Sequence, residues 1–155
     1  MKVKAKDLVT IDVVVAAYAK LKGFPGEDGK ENRKQDFEAK YRASRLFRSV
    51  QLSVEPIFES RSAIVEEFYE PAGPQDVPGT PRKLKPGKTQ KKLDEAFKAF
   101  YDAEHDVDLH ALKWIDLTHP EVTGEMISVF ESCGVITGTP PGIQEIEPEK
   151  PNKGE

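Results

Sequence analysis

Two histidines and two aspartates stand within six residues, His105-Asp106-Val107-Asp108-Leu109-His110. Such a density of carboxylate and imidazole donors is the raw material of a divalent-metal centre, and with it of a hydrolase or nuclease. In an extended chain, successive side chains point to opposite faces. Asp106, Asp108 and His110 then share one face, and His105 joins Val107 and Leu109 on the other. Three donors at spacing two are only part of a ligand set. The rest must come from elsewhere, and beyond Glu104 and His119 no second cluster stands out. A half-buried strand also needs a wet face, which Asp and His supply with no further purpose. The simpler expectation is a hydrated strand face without metal or cofactor. The alternative is a metal-dependent hydrolase or nuclease centred on Asp106, Asp108 and His110.

Other catalytic patterns are absent from the sequence. There is no Walker-type glycine loop, no G-x-S-x-G elbow and no zinc-binding set of cysteines. The G-T-P-P-G stretch near the end is a loop with no helix after it, so it makes no phosphate cradle. Glu55 and Glu59 lie one helical turn apart, as do Glu66 and Glu70. On a long charged helix such pairs read as a solvated face. Cys133 is the single cysteine; it falls near the end of a helical pattern, away from the electropositive helix start that activates a thiol. The chain is therefore expected to be no enzyme. A single cysteine also precludes an internal disulfide, which suits a reducing cytoplasm. The most apolar run, Val13 to Ala19, is far shorter than the roughly 20 residues of a membrane span, and no signal-peptide pattern precedes it.

The elements that must carry these residues follow from periodicity. Val3 and Ala5 alternate with lysines and predict a short strand within Lys2 to Val9. Thr10 is expected to cap a helix from Ile11 to Lys22, with Ile11, Val14, Val15, Tyr18 and Leu21 on one face and Gly23 ending it. Arg33 to Tyr69 predicts a long helix. Phe37 and Tyr41 open its apolar stripe, and Val50, Val54, Ile57, Arg61, Ile64 and Phe68 continue it in the manner of a short coiled-coil seam. Pro56 lies inside and predicts a kink or break. The Pro- and Gly-rich stretch over residues 71–88 predicts an exposed excursion. A helix opened by Thr89 or Lys88 and ending near Glu104 follows, with Leu93, Phe97, Phe100 and Tyr101 inward. Period-two alternation from Glu104 to Leu112 predicts a strand. Thr123 caps a last helix, Gly124 to Ser132, closed by Gly134. The fold class expected is α+β, mainly α. Long antiparallel helices accompany a small two- to three-stranded sheet in a single domain over residues 1–136, with a disordered tail over 137–155.

Charge is distributed unevenly. The net formal charge is −4, which gives no global attraction to nucleic acid or acidic lipid. The long helix, however, is bipolar. Six basic and two acidic residues lie between Arg33 and Arg48, and one basic and five acidic residues between Ser49 and Glu70. This order opposes the helix macrodipole, so local helix stability does not explain it. Either the basic half meets an acidic partner, or two copies pair antiparallel. A second basic patch contains Arg82, Lys83, Lys85, Lys88, Lys91 and Lys92. It could grip phosphates, which makes a nucleic-acid binder through the basic 82–92 arm a further alternative, but it has no aromatic residue on which bases would stack. The expected partner-binding residues are Arg42, Arg45, Arg48, Arg82, Lys83, Lys85 and Lys88. Reversing the charge of Arg42, Arg45 and Arg48 is expected to abolish binding and spare the fold.

The stretch E-H-D-V-D-L-H-A-L, Glu104 to Leu112, resembles the E-V-D-I-D-L-H-x-I signature of a family of small uncharacterised proteins of tailed bacteriophages and prophages. The M-K-V-K-A-K-D-L-V opening, the long helix ending in Glu66-Glu67-Phe68-Tyr69 and the short final helix are similar too. The resemblance covers roughly residues 1–136. The Pro-rich excursion from Pro71 to Lys88 departs from the family, whose connection there is shorter. The resemblance implies a phage-encoded, non-enzymatic accessory protein acting in the infected cell. With the charge pattern and the short apolar runs, the expectation is a protein of the infected host's cytoplasm that binds a host or phage protein or forms a homodimer, with no membrane. It would inhibit a host defence or replication component, or assist assembly. It implies no catalytic residues.

Overall fold

A computed structural model describes residues 1–140. The chain is α+β and mainly helical, as the periodicities predict. In order it forms β1 (Lys2–Lys4), α1 (Ala5–Tyr18), α2 (Arg33–Phe68), α3 (Gln90–Asp102), β2 (Glu104–Asp106), β3 (Leu112–Lys113), a 3-10 turn (Trp114–Leu117), α4 (Gly124–Ser132) and β4 (Ile136–Thr137). Strands β1 and β2 pair antiparallel, with Val3 opposite His105, and β3 pairs parallel with β4.

Helix α1 begins six residues earlier than the expected Ile11. Ala5, Leu8, Ile11, Val15 and Tyr18 are all buried. Their spacing of three and four is helical from the start, and it outweighs the two alternations that suggested a longer strand. Thr10 therefore lies inside the helix, its hydroxyl donating to the Lys6 carbonyl at 2.9 Å.

Helix α2 is the spine of the molecule. Asn32 caps it, its side chain accepting from the Gln35 amide at 3.0 Å. It runs through Pro56 without the expected break. Proline removes the amide that would bond the Leu52 carbonyl, and Leu52 and Pro56 are both exposed, so water can take that carbonyl. The face that α2 buries also differs from the expected one at its start. Gln35, Ala39, Ala43, Leu46, Ser49, Val50, Val54 and Ile57 face the core, whereas Phe37 and Tyr41 point outward.

Around α2 the core gathers Leu8, Ile11, Val15 and Tyr18 of α1 with Phe24, Leu112, Phe130 and Val135. The Tyr18 ring meets Phe24 and Phe130 edge-on, with centroids 5.7 and 5.3 Å away, a favoured aromatic geometry. Thr123 caps α4 as predicted, and Thr89 rather than Lys88 caps α3, each accepting from the amide three residues on. Gly134, at φ 65°, ends α4. Its amide donates to Glu131 and that of Val135 to Phe130, the bond pair that a left-handed glycine permits.

The expected continuous strand from Glu104 to Leu112 is two short strands in two different sheets. The last bond of the β1–β2 ladder runs from the Val107 amide to the Met1 carbonyl, 2.8 Å. Beyond it the His110 amide donates to Ser49 Oγ of α2 at 3.1 Å. The alternation itself survives: His105, Val107 and Leu109 turn inward, and Asp106, Asp108 and His110 are exposed. The excursion over 71–88 is exposed along most of its length. Of the tail expected from residue 137, Thr137 belongs to β4, and residues 141–155 lie outside the described residues.

Candidate contact surface

The structure leaves Asp106, Asp108 and His110 exposed to solvent. The amino group of Met1 donates to Asp106 Oδ1 at 3.0 Å. Among the described residues no three His, Cys, Asp or Glu side chains are grouped to hold a metal ion. Across from this segment stands α2, and between them opens a cleft of about 810 Å³. Tyr41, Arg45, Arg48, Leu52 and Pro56 line one wall, and His105 to Asp108 with His110 line the other. Nε2 of His105 is buried without a hydrogen-bond partner.

The three arginines grouped by the sequence have different roles. Arg42 is no surface contact. Its Nε and Nη2 donate to the two oxygens of Asp116, each at 2.7 Å. Asp116 is fully buried, and Gln35 Nε2 and the Lys113 amide donate to it as well, at 3.1 and 2.9 Å. The Tyr18 hydroxyl donates to its carbonyl at 3.0 Å. This node ties α1, α2 and the 3-10 turn together. The Asp116 carboxylate raises the pKa of Arg42, and burial raises that of Tyr18. Reversing Arg42 would strand a buried carboxylate, so this geometry predicts damage to the fold where the charge pattern alone predicts tolerance. Arg45 and Arg48 are exposed. The Arg45 guanidinium lies 5.7 Å from the Tyr41 ring centre.

The second basic patch is largely folded back onto α2. Arg82 Nη1 donates to Glu66 Oε1 at 3.0 Å and its Nε to the Glu70 carbonyl at 2.7 Å. Lys85 Nζ donates to the Glu66 carbonyl, and Lys88 pairs with Glu67 at 3.3 Å while lying over the Phe68 ring. Backbone bonds join Glu70 to Lys83 and Lys85 to Phe68. Positive side chains thus sit at the electronegative end of α2, which answers the mismatch between its acidic half and its dipole. Arg82 holds the Glu66 carboxyl below the usual carboxylate range. Of the predicted arm contacts, the Lys83 side chain remains exposed.

The first turns of α2 expose a face whose aromatics predict burial. Phe37, Tyr41 and Leu52 are 72, 55 and 63% exposed. At about 100° per residue, these three side chains with Arg45 and Arg48 span roughly 80° of the helix circumference. They form an apolar and cationic ridge opposite the core. The sequence signal was present in Ala39, Ala43 and Leu46, which lie on the buried face, but large aromatics outranked two alanines. Elsewhere, burial pushes the Cys133 thiol up to about 11, which makes it a poor nucleophile. His119 Nδ1 accepts from the Glu121 amide at 3.0 Å, and Nε2 lies 2.7 Å from the Lys22 carbonyl. With one nitrogen accepting, the other carries the proton, so this histidine braces a loop.

Comparison with models of known protein families, with curated proteins and with solved structures finds no match. Among the described residues no helix is long and apolar enough to cross a membrane.

Proposed function

We propose that this chain is a phage-encoded accessory protein that acts in the infected cell by binding another protein and performs no bond-making chemistry of its own. Its target is a host defence or replication component, or a phage protein under assembly. The phage origin rests on the Glu104–Leu112 signature. The mode of action rests on one observation: the outward ridge of α2 presents Phe37, Tyr41 and Leu52 beside Arg45 and Arg48. Aromatic residues and arginine are the types that dominate the centres of protein interfaces. They are displayed on a rigid helix whose opposite face is fixed in the core, so little ordering entropy is lost on binding. The arginines direct the ridge to an acidic surface.

The test is affinity purification of the tagged chain from infected cells, with Arg45→Glu/Arg48→Glu as the comparison. Neither side chain has an ion-pair partner among the described residues, so the fold is expected to persist by circular dichroism. A specific protein recovered with the wild type and lost with the variant is the expected result. Undiminished recovery with the variant would remove the ridge from the account.

A further inference from the structure

We infer that the ridge of α2 is a self-complementary surface on which a second copy of this chain docks antiparallel, about a two-fold axis near Leu52. This rests on the reading of the ridge as a protein contact and adds a second copy of the chain as an occupant that competes there with the target.

The first observation is the spacing. Tyr41, Arg45, Arg48, Leu52, Glu55 and Glu59 follow one another at intervals of four, three, four, three and four. That is a heptad-like seam, and the members facing a partner repeat as in paired helices. It lies on the outward side of α2, opposite the buried stripe, and all six side chains are exposed.

The second observation concerns counter-ions. Toward both ends of α2 several charges are paired within the molecule: Asp36 with Lys40, Glu38 and Asp116 with Arg42, Glu66 with Arg82 and Glu67 with Lys88, while Arg33, Lys34 and Arg61 have no ion pair among the described residues. Arg45, Arg48, Glu55 and Glu59 enter no ion pair among the described residues. They also stand next to like charges, arginine three residues from arginine and glutamate four from glutamate, an arrangement that costs an isolated helix stability.

Antiparallel pairing resolves both features. With an axis near Leu52, Arg45 of one copy lies level with Glu59 of the other, and Arg48 with Glu55. The two-fold makes every such contact twice. Leu52 meets Leu52 at the centre, and Tyr41 covers Ser62 and Ala63. The helix dipoles also run opposite. A parallel pair would set arginine against arginine and glutamate against glutamate. Because the contacts are largely ionic and at the surface, the association weakens as salt shortens the screening length below ~10 Å.

Two variants test this with purified protein. Arg45→Glu/Arg48→Glu makes the seam wholly acidic, and Glu55→Lys/Glu59→Lys makes it wholly basic. Sedimentation equilibrium at low ionic strength is expected to show a dimer for the wild type. Each variant alone should dissociate, with its dissociation constant raised roughly tenfold or more. A one-to-one mixture of the two should recover a heterodimer. A monomeric wild type, a dimer indifferent to both variants, or a mixture that stays monomeric would each overturn the inference. None of these results bears on whether a different protein is recovered from infected cells, so the two readings fail separately.

Discussion

Asp116 carries more of the fold than any residue picked out by its chemistry. Removing Arg42 leaves the Asp116 carboxylate buried with no ion-pair partner among the described residues, which costs about 3–5 kcal/mol in comparable sites. Arg42→Ala is accordingly expected to lower the unfolding free energy in urea by that order, whereas Arg45→Ala should change it by no more than about 0.5 kcal/mol, as for exposed positions. Equal effects would contradict the division of roles drawn between these two arginines. At Cys133 the folded thiol titrates near 11, above its ordinary value of 9.0. The stability that this contributes is intact below 9 and is lost as pH rises towards 11. At neutral pH the native protein should react with a thiol reagent far more slowly than the urea-unfolded chain. Nothing in the sequence distinguished Asp116 from the other acidic residues, because its partners Gln35 and Arg42 lie 81 and 74 positions away. The exposure of Asp106, Asp108 and His110, by contrast, was legible, since it needs only period-two alternation.

At the level of elements, local rules worked where the deciding contacts were local. Caps at Thr123 and Gly134 are short-range devices and fell where the sequence put them, Thr89 was one of the two openings expected for α3, and the cap expected at Thr10 failed because the buried spacing from Ala5 overrode it. The Glu104–Leu112 ribbon did not hold as one strand, because β1 pairs with it only as far as Val107 and Ser49 then claims His110. The clamp between the arm and α2 was equally invisible, as it joins residues 16 positions apart across a Pro-rich stretch. It now makes a prediction of its own. Glu66 titrates below its ordinary range, so its contribution is present above that range and is lost as pH falls through the folded value. Glu66→Gln should therefore speed proteolytic cleavage between residues 71 and 81 at neutral pH, and cleavage unchanged from wild type would show the clamp to be idle. Pro56→Ala restores a helix amide and is expected to raise the unfolding free energy by about 1–3 kcal/mol in urea. A decrease would mean that the proline ring is packed in a way its exposure does not suggest.

Across the whole molecule, the bipolar charge of α2 was legible in the sequence, but its meaning was not. The acidic end is answered by the molecule's own arm, and the basic start is partly absorbed by Asp116 and by neighbouring carboxylates. Between these ends lies the central ridge, where exposed aromatics coincide with charges that have no ion pair among the described residues, and the account stands on that surface being a place where another protein sits. The most direct measurement is site-specific photo-crosslinking in infected cells, with the reactive residue placed in turn at Phe37, Tyr41 and Leu52. Val13 and Val77, which are 69 and 71% exposed but off the ridge, serve as controls. Crosslinks to protein from the ridge positions and not from the controls are predicted. Ridge positions that capture no more than Val13 and Val77 would contradict the account.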